Sequence, residues 1–492
     1  MNIILFVIDT LRYDYIASMG PNASWLKTPN LDRLARKSLV FDRAFASSYP
    51  TIPHRTDVIT GEFGAPFNPW MPLRFDITPL PQHLAKAGYC TQLIHDTPHL
   101  VNGGHGFDWP FHGWTFVRGA EVDRPWIDDK GFEYLDNWAP DPVFDGIGEA
   151  NMKDIDDATT FTYVRANRHR HRPQDWNAAK LFLTAAQFLK DNAKRDNFFL
   201  WVDCFDPHGP TDAPPEFVKM YDTDPSYDGK IDPRAFLVGG DADVIAQLPE
   251  KARNRLSCMY AAKVSHLDRW LGEVLDTLEE TGLSRNTAII LTADHGTCVG
   301  EFSFFTKRLA GYTGEQEGHV PLLVHVPGIG HERNNIDVQP QDIFDTVCKI
   351  AGIETGPDYD GGNLIALADG SGTERRFTPI MGAATHRARN RDPHICRMTV
   401  FGDTHYLNFA ADPESCRLFR YGATDDTAAQ GSTKVEPLRK LALEELRARS
   451  TNPRLIEWFE SKGKSEFPEE VRDWPGPAEW ISYWGRTYTK WD

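Results

Sequence analysis

The chain has 492 residues, 41% of them apolar and 25% charged, ordinary proportions for a folded globular protein of two or three average domains or one large α/β domain with an appendage. Lys plus Arg number 53 against 70 Asp plus Glu, and the resulting formal charge of −17 disfavours a nucleic-acid polymer or an anionic membrane surface as partner. A small anionic substrate remains allowed, provided that one cleft gathers a metal, Arg, Lys and His and reverses the field locally.

The apolar run from Asn2 to Ile8 is too short for the core of a signal peptide and leads straight into Asp9, so it reads as a first buried strand. No run approaches the ~18 apolar residues of a membrane span. Thr28-Pro29 pairs a capping residue with Pro at the first position of a helix through Leu31, Leu34 and Ala35. Further strands are predicted over Thr91 to Ile94, Phe198 to Val202, Thr287 to Leu291 and Leu322 to Val326. They lack the alternation of a half-solvated strand, which argues for buried parallel strands. Between them, apolar residues at helical spacing predict helices over about 175–194 and about 251–280. The fold class that follows is α/β, a large mostly parallel sheet sandwiched by helices, over residues 1–375. Residues 119–172, rich in Asp, Asn, Pro and Trp, read as an inserted excursion over the site. Residues 376–492 read as a smaller α+β subdomain with a small antiparallel sheet, a charged helix at Leu438 to Ala448 and an irregular tail. The seven cysteines, at 90, 204, 258, 298, 348, 396 and 416, form no CxxC pair, which fits a reducing compartment and a cytoplasmic location.

Ligands of open α/β sheets bind at the carboxyl ends of strands, so Asp9, Asp203, Asp206 and the pair Asp294-His295 are expected to converge. Two Asp and a His, with a Thr oxygen, make a mixed O/N set for a divalent metal, Mn²⁺ or Zn²⁺ ahead of Ca²⁺. The segment Tyr49-Pro50-Thr51-Ile52-Pro53-His54-Arg55 places a hydroxyl at the head of a helix-like stretch closing at Gly61, where free N–H groups favour anions.

These segments carry a resemblance. Val7-Ile8-Asp9-Thr10-Leu11-Arg12-Tyr13-Asp14, Thr28-Pro29-Asn30-Leu31-Asp32, Thr51-x-Pro53-x-Arg55, Phe205-Asp206-Pro207-His208, Thr292-Ala293-Asp294-His295-Gly296 and His319-Val320-Pro321-Leu322-Leu323 occur in the order found in the sulfatase family of the alkaline phosphatase superfamily. They cover roughly residues 1 to 330, and Tyr406 to Leu443 resembles that family's carboxyl-terminal subdomain. The resemblance implies an alkaline-phosphatase-like fold, with Asp9, Thr51, Asp294 and His295 at the metal. It implies Thr51, Arg55, His208 and Lys307 as catalytic residues, and Asp96, His99 and His319 on the substrate side.

Three departures bear on the chemistry. Sulfatases carry Cys or Ser, oxidised to formylglycine, where this chain has Thr51, so no formylglycine is expected. Threonine is the direct nucleophile in relatives acting on phosphorus, such as nucleotide pyrophosphatase/phosphodiesterases. Many sulfatases have a sulfate-contacting Lys near the position of Asp96, and many have Asp-Asp where this chain has Asp9-Thr10. Phosphonate monoester hydrolases share the single Asp. The favoured expectation is a metal-dependent hydrolase of phosphodiester, phosphonate or phosphomonoester bonds, with Thr51 attacking directly. The alternatives are a sulfuric ester hydrolase without formylglycine and a non-catalytic metal-containing binding protein. The expected partner is a small anionic ester, and a homo-oligomer is compatible with the sequence.

Overall fold

The computed structural model describes residues 1–64, 70–101, 105–123, 143, 159–230, 242–308, 313–356, 359–372, 378–383, 398–427, 432–449 and 453–466. Much of the expected excursion (124–142 and 144–158), Cys396 and the tail beyond 466 lie outside the described residues.

In chain order the strands are β1 (Asn2–Ile8), β2 (Leu39–Ala44), β3 (Ser48–Tyr49), β4 (Cys90–His95), β5 (Gly113–Phe116), β6 (Phe198–Cys204), β7 (Thr287–Ala293), β8 (Cys298–Val299), β9 (Phe305–Thr306), β10 (Leu322–His325), β11 (Glu332–Val338), β12 (Ile380–Ala383), β13 (Met398–Phe401), β14 (His405–Phe409) and β15 (Arg417–Arg420). Eight of them build the main sheet in the order β11-β2-β10-β7-β1-β6-β4-β5. All seven residues of β1, β6 and β7 are buried, so continuous apolar runs are what these positions require. The central strands are parallel, β1 lying between β6 and β7 with Val7 opposite both Asp203 and Thr292. That register brings Asp9, Asp203 and Asp294 to the same end of the sheet.

One expected parallel strand is reversed. β10 pairs antiparallel with β7 and β2. A fully buried strand has the same apolar run whichever way it points, so composition does not encode its direction. The sheet is flanked by helices, among them Pro29–Ala35, Asn177–Asp191, the 31-residue Glu250–Glu280 and Gln341–Ile350. Thr28 does not cap its helix through its side chain. The Asp268 carboxylate, from Glu250–Glu280, does so instead, accepting from Asn30 N at 3.0 Å and Leu31 N at 2.6 Å.

A second sheet runs β15-β14-β13-β12-β3. Its four carboxyl-terminal strands are antiparallel and pack, with helices Val435–Arg449 and Pro453–Glu460, around Leu407, Phe409, Leu446 and Phe459. Its fifth strand comes from far upstream: β12 pairs parallel with β3, Gly382 opposite Ser48. The chain passes from β3 through Pro50 into helix Thr51–Thr60, so the small sheet is hydrogen-bonded to the strand that feeds this helix.

Candidate active site

Helix Thr51–Thr60 lies wholly inside the molecule; all ten of its residues are buried. Its polar side chains are therefore spent internally. Thr56 and Thr60 hydroxyls donate to the carbonyls of Ile52 and Thr56, and Asp57 accepts from Ser47 Oγ and Gly64 N. The helix ends at Gly61, where φ is +75° and a Cβ would stand 2.8 Å from Phe344, so both backbone and space require glycine.

Thr51 opens this helix at the carboxyl ends of the parallel strands, with no exposed surface. Lys307 Nζ is 3.4 Å from its Oγ1 and donates to it. Arg55, one turn on, donates four of its five N–H groups to buried acceptors. Nε and Nη2 each meet Asp203 at 2.8 Å, Nη1 donates to Thr51 O at 3.0 Å and to Asp294 Oδ2 at 2.5 Å, and Nη2 lies 3.4 Å from Asp9 Oδ2. Arg55 braces the helix that starts at Thr51 against the buried carboxylates of Asp203 and Asp294, with Asp9 beside it.

Asp9 and the pair Asp294-His295 meet as the strand ends predict. One oxygen from each carboxylate and one ring nitrogen of His295 lie within 4.8 Å of one another, the one such group of three among the described residues. Asp294 Oδ1 accepts from Thr10 N at 3.0 Å and from His295 N at 2.7 Å. Burial raises the Asp294 pKa, but His295 and Arg55 outweigh it and hold the group ionised, below the ordinary carboxylate range. Burial and the Asp294 charge push Asp9 well up. His295 Nδ1 donates to Gly296 O at 2.7 Å, which leaves Nε2 as the lone-pair nitrogen, and burial brings the ring down to about 4, so it is neutral at pH 7.

Neither Asp9 oxygen nor His295 Nε2 has a hydrogen-bond partner, although all three are buried. Orphaned acceptors of this kind are costly in a low-dielectric interior, and a divalent cation satisfies all of them at once. Two carboxylates and a neutral imidazole, with no sulfur, suit Zn²⁺ or Mn²⁺. The residues fit the metal that the sequence implies.

His208 stands on the loop after β6, stacked on Phe205 with ring centroids 4.2 Å apart. Its Nδ1 is 2.7 Å from Gly209 O and 3.1 Å from Glu121 Oε2, so Nδ1 carries the proton, and Nε2 is buried without a partner. Burial, then Lys307, lower its pKa. Lys263 holds this loop, donating to His208 O and Pro210 O at 2.7 Å and pairing with Asp206 at 2.9 Å.

The three substrate-side expectations fare differently. His99 packs edge-on against Trp70 and Phe205, beside the His208 loop. Asp96 is buried, its Oδ1 accepting from Phe205 N at 2.6 Å and its Oδ2 without a partner, and burial plus nearby Asp206 raise its pKa. His319 is a packing residue, its ring stacked on Tyr13 at 4.0 Å and its Nε2 2.9 Å from Asp42 O, outside the metal-ligand group. Glu121 and Lys263 had no sequence signal, the first lying in an acidic loop stretch and the second inside a helix. His54, in the nucleophile helix, is buried with both ring nitrogens unpartnered, and burial lowers its pKa to about 3.

The family model for sulfatases matches residues 1–353. The chain belongs to the sulfatase family. Curated relatives include iduronate 2-sulfatase of Mus musculus, 28% identical over 359 residues, a match covering 67% of this chain and 60% of that protein. The chain thus spans about 60% of that sulfatase's length. Also similar is the multifunctional alkaline phosphatase superfamily protein PehA of Trinickia caryophylli, 24% identical over 470 residues and covering 84% of this chain and 88% of the relative. Among solved structures, the phosphonate monoester hydrolase SpPMH from Silicibacter pomeroyi superposes with a TM-score of 0.69 at 20% identity, covering 92% of this chain and 95% of that one. At that identity the likeness establishes the sulfatase-family fold.

Proposed function

We propose that this sulfatase-family protein hydrolyses phosphodiester, phosphonate or phosphomonoester bonds with Thr51 as the direct nucleophile. The observation that carries the reading is the placement of Thr51 Oγ1: at the head of a buried helix, 3.4 Å from the Lys307 ammonium, and tied through Arg55 to the Asp9, Asp294 and His295 cluster. Asp9, Asp294 and His295, with Thr51, would hold a divalent ion, whose positive charge would lower the Thr51 hydroxyl pKa. The Thr51 oxygen attacks phosphorus in line and the ester oxygen departs. The net transfer is one proton from the Thr51 hydroxyl to the departing oxygen, for which His208 Nε2 and the Lys307 ammonium are the carriers at hand. Lys307 also stabilises charge growing on the transferred group. A threonine ester has no hemiacetal to collapse, so water completes the cycle by attacking phosphorus and returning the Thr51 hydroxyl. Phosphorus accepts that second displacement better than sulfur does.

A second reading keeps sulfate esters as substrate, and the names of relatives such as iduronate 2-sulfatase and the choline-sulfatase of Rhizobium meliloti favour it. A cytoplasmic location goes with either reading, supported by six described cysteines that are all free. The test of the nucleophile is substitution. Thr51→Ala is expected to lower kcat by about 10³-fold or more, whereas Thr51→Ser, which keeps the hydroxyl, stays within roughly tenfold of wild type. Equal activity of the Ala variant and wild type on every ester would end the reading.

A further inference from the structure

We infer that Glu121 is a specificity determinant: it sets the site to take esters whose transferred group carries one negative charge and to turn away those carrying two. The inference rests on the reading of Thr51 and Lys307 as the reacting centre.

Glu121 sits on a turn that is fixed from beneath. The buried Asp123 carboxylate accepts from Gly119 N at 2.7 Å and from Arg118 Nη2 at 2.6 Å. Asn167 Nδ2 donates to Gly119 O at 2.7 Å. Gly119 itself has φ +118°, and a Cβ there would stand 2.8 Å from Asn167 Oδ1, so a side chain is excluded by both backbone and space. The turn holds the Glu121 carboxylate 3.1 Å from His208 Nδ1, with 19% of the side chain exposed.

Orienting His208 does not require that carboxylate. The Gly209 carbonyl already takes the Nδ1 proton at 2.7 Å, and Lys263 anchors the loop at two carbonyls. What Glu121 adds is charge. It stands 3.1 Å from His208 Nδ1, and although burial works against its ionisation, His208 and then Lys307 hold its pKa below the ordinary glutamate value, so it is an anion beside the His208 ring. The balance of the centre follows. Arg55 lies among Asp203, Asp294 and Asp9; with all three carboxylates ionised around a bound divalent ion, that ion would offset the two negative charges that Arg55 leaves. Lys307 and Glu121 then offset each other. A monoanionic ester enters a neutral centre and leaves it with one negative charge, whereas a dianion leaves it with two. Like charges held a few ångströms apart in a buried site discriminate by roughly tenfold to a hundredfold.

The test uses two probes of similar shape that cannot be hydrolysed: phenylphosphonate, a dianion above its second pKa, and methyl(phenyl)phosphinate, a monoanion. Their affinities are measured by calorimetry at about pH 8.5 for wild type, Glu121→Gln and Glu121→Asp. Gln keeps the size and the acceptor for His208 but removes the charge. The expected result is that E121Q tightens phenylphosphonate relative to the phosphinate by roughly tenfold or more, while E121D behaves as wild type. An unchanged ratio overturns the proposal. So does an equal loss for both probes, which would make Glu121 a brace for His208. These are binding measurements, so they stay readable if no phosphorus ester is turned over and the nucleophile reading fails.

Discussion

Arg55 illustrates how much of a site can be spent on holding it together. Its guanidinium is fully buried and satisfies Asp203 twice while reaching Thr51 O and Asp294. Lys at this position offers a point charge and no fork, which strands at least one buried carboxylate oxygen. Arg55→Lys is therefore expected to lose about 3–5 kcal/mol of stability, measured by urea unfolding, and not merely activity. A loss below about 1 kcal/mol would mean that the brace is dispensable. The sequence points to Arg55, four residues after Thr51, but not to its partner. Asp203, expected at the same end of the sheet, lies 148 residues away, and nothing in the sequence pairs the two. Asp9, Asp294 and His295 were legible because each sits at the end of an apolar run, and strand ends are where such folds bind ligands. His319 carried a motif position too, yet its ring is claimed by Tyr13 and Phe45. Motif membership does not say which way a side chain faces.

At the scale of elements, helix Thr51–Thr60 shows what a buried polar helix demands. Asp57 is held inside it, and burial raises its pKa from 3.8 to about 7 despite hydrogen bonds from Ser47 and Gly64. The folded state thus binds a proton at this group that the unfolded chain has released between those two values. Its contribution to stability is complete below the unfolded pKa and is lost as the pH rises toward the folded one. Asp57→Asn should accordingly flatten the decline of the unfolding midpoint between about pH 4 and pH 7 relative to wild type. An identical slope in the two proteins would contradict the assignment. The same scale marks a limit of sequence reading. Thr28-Pro29 predicts a helix start and the helix is there, but the cap comes from Asp268, 238 residues away from Asn30. β10 has the right composition and the reverse direction, because apolar content reports burial, not polarity of the chain.

For the molecule as a whole, the net charge of −17 and the anion-binding centre are reconciled locally. Lys307 and the metal-ligand cluster stand at the ends of the parallel strands, and the small second sheet is stitched through β3 to the helix that starts at Thr51. That stitching was invisible in the sequence, since β3 is two residues long and its partner lies more than 330 residues downstream. The large parallel sheet, by contrast, was legible in outline, because five buried apolar runs separated by helical spacing leave few other architectures. In the proposed mechanism this scaffold presents Thr51 to phosphorus and not to sulfur. Side-by-side turnover of an aryl phosphodiester and the matching aryl sulfate by the metal-loaded protein tests it most directly. The expected result is a higher kcat/KM for the phosphodiester, lost with Thr51→Ala; preference for the sulfate would rule this mechanism out.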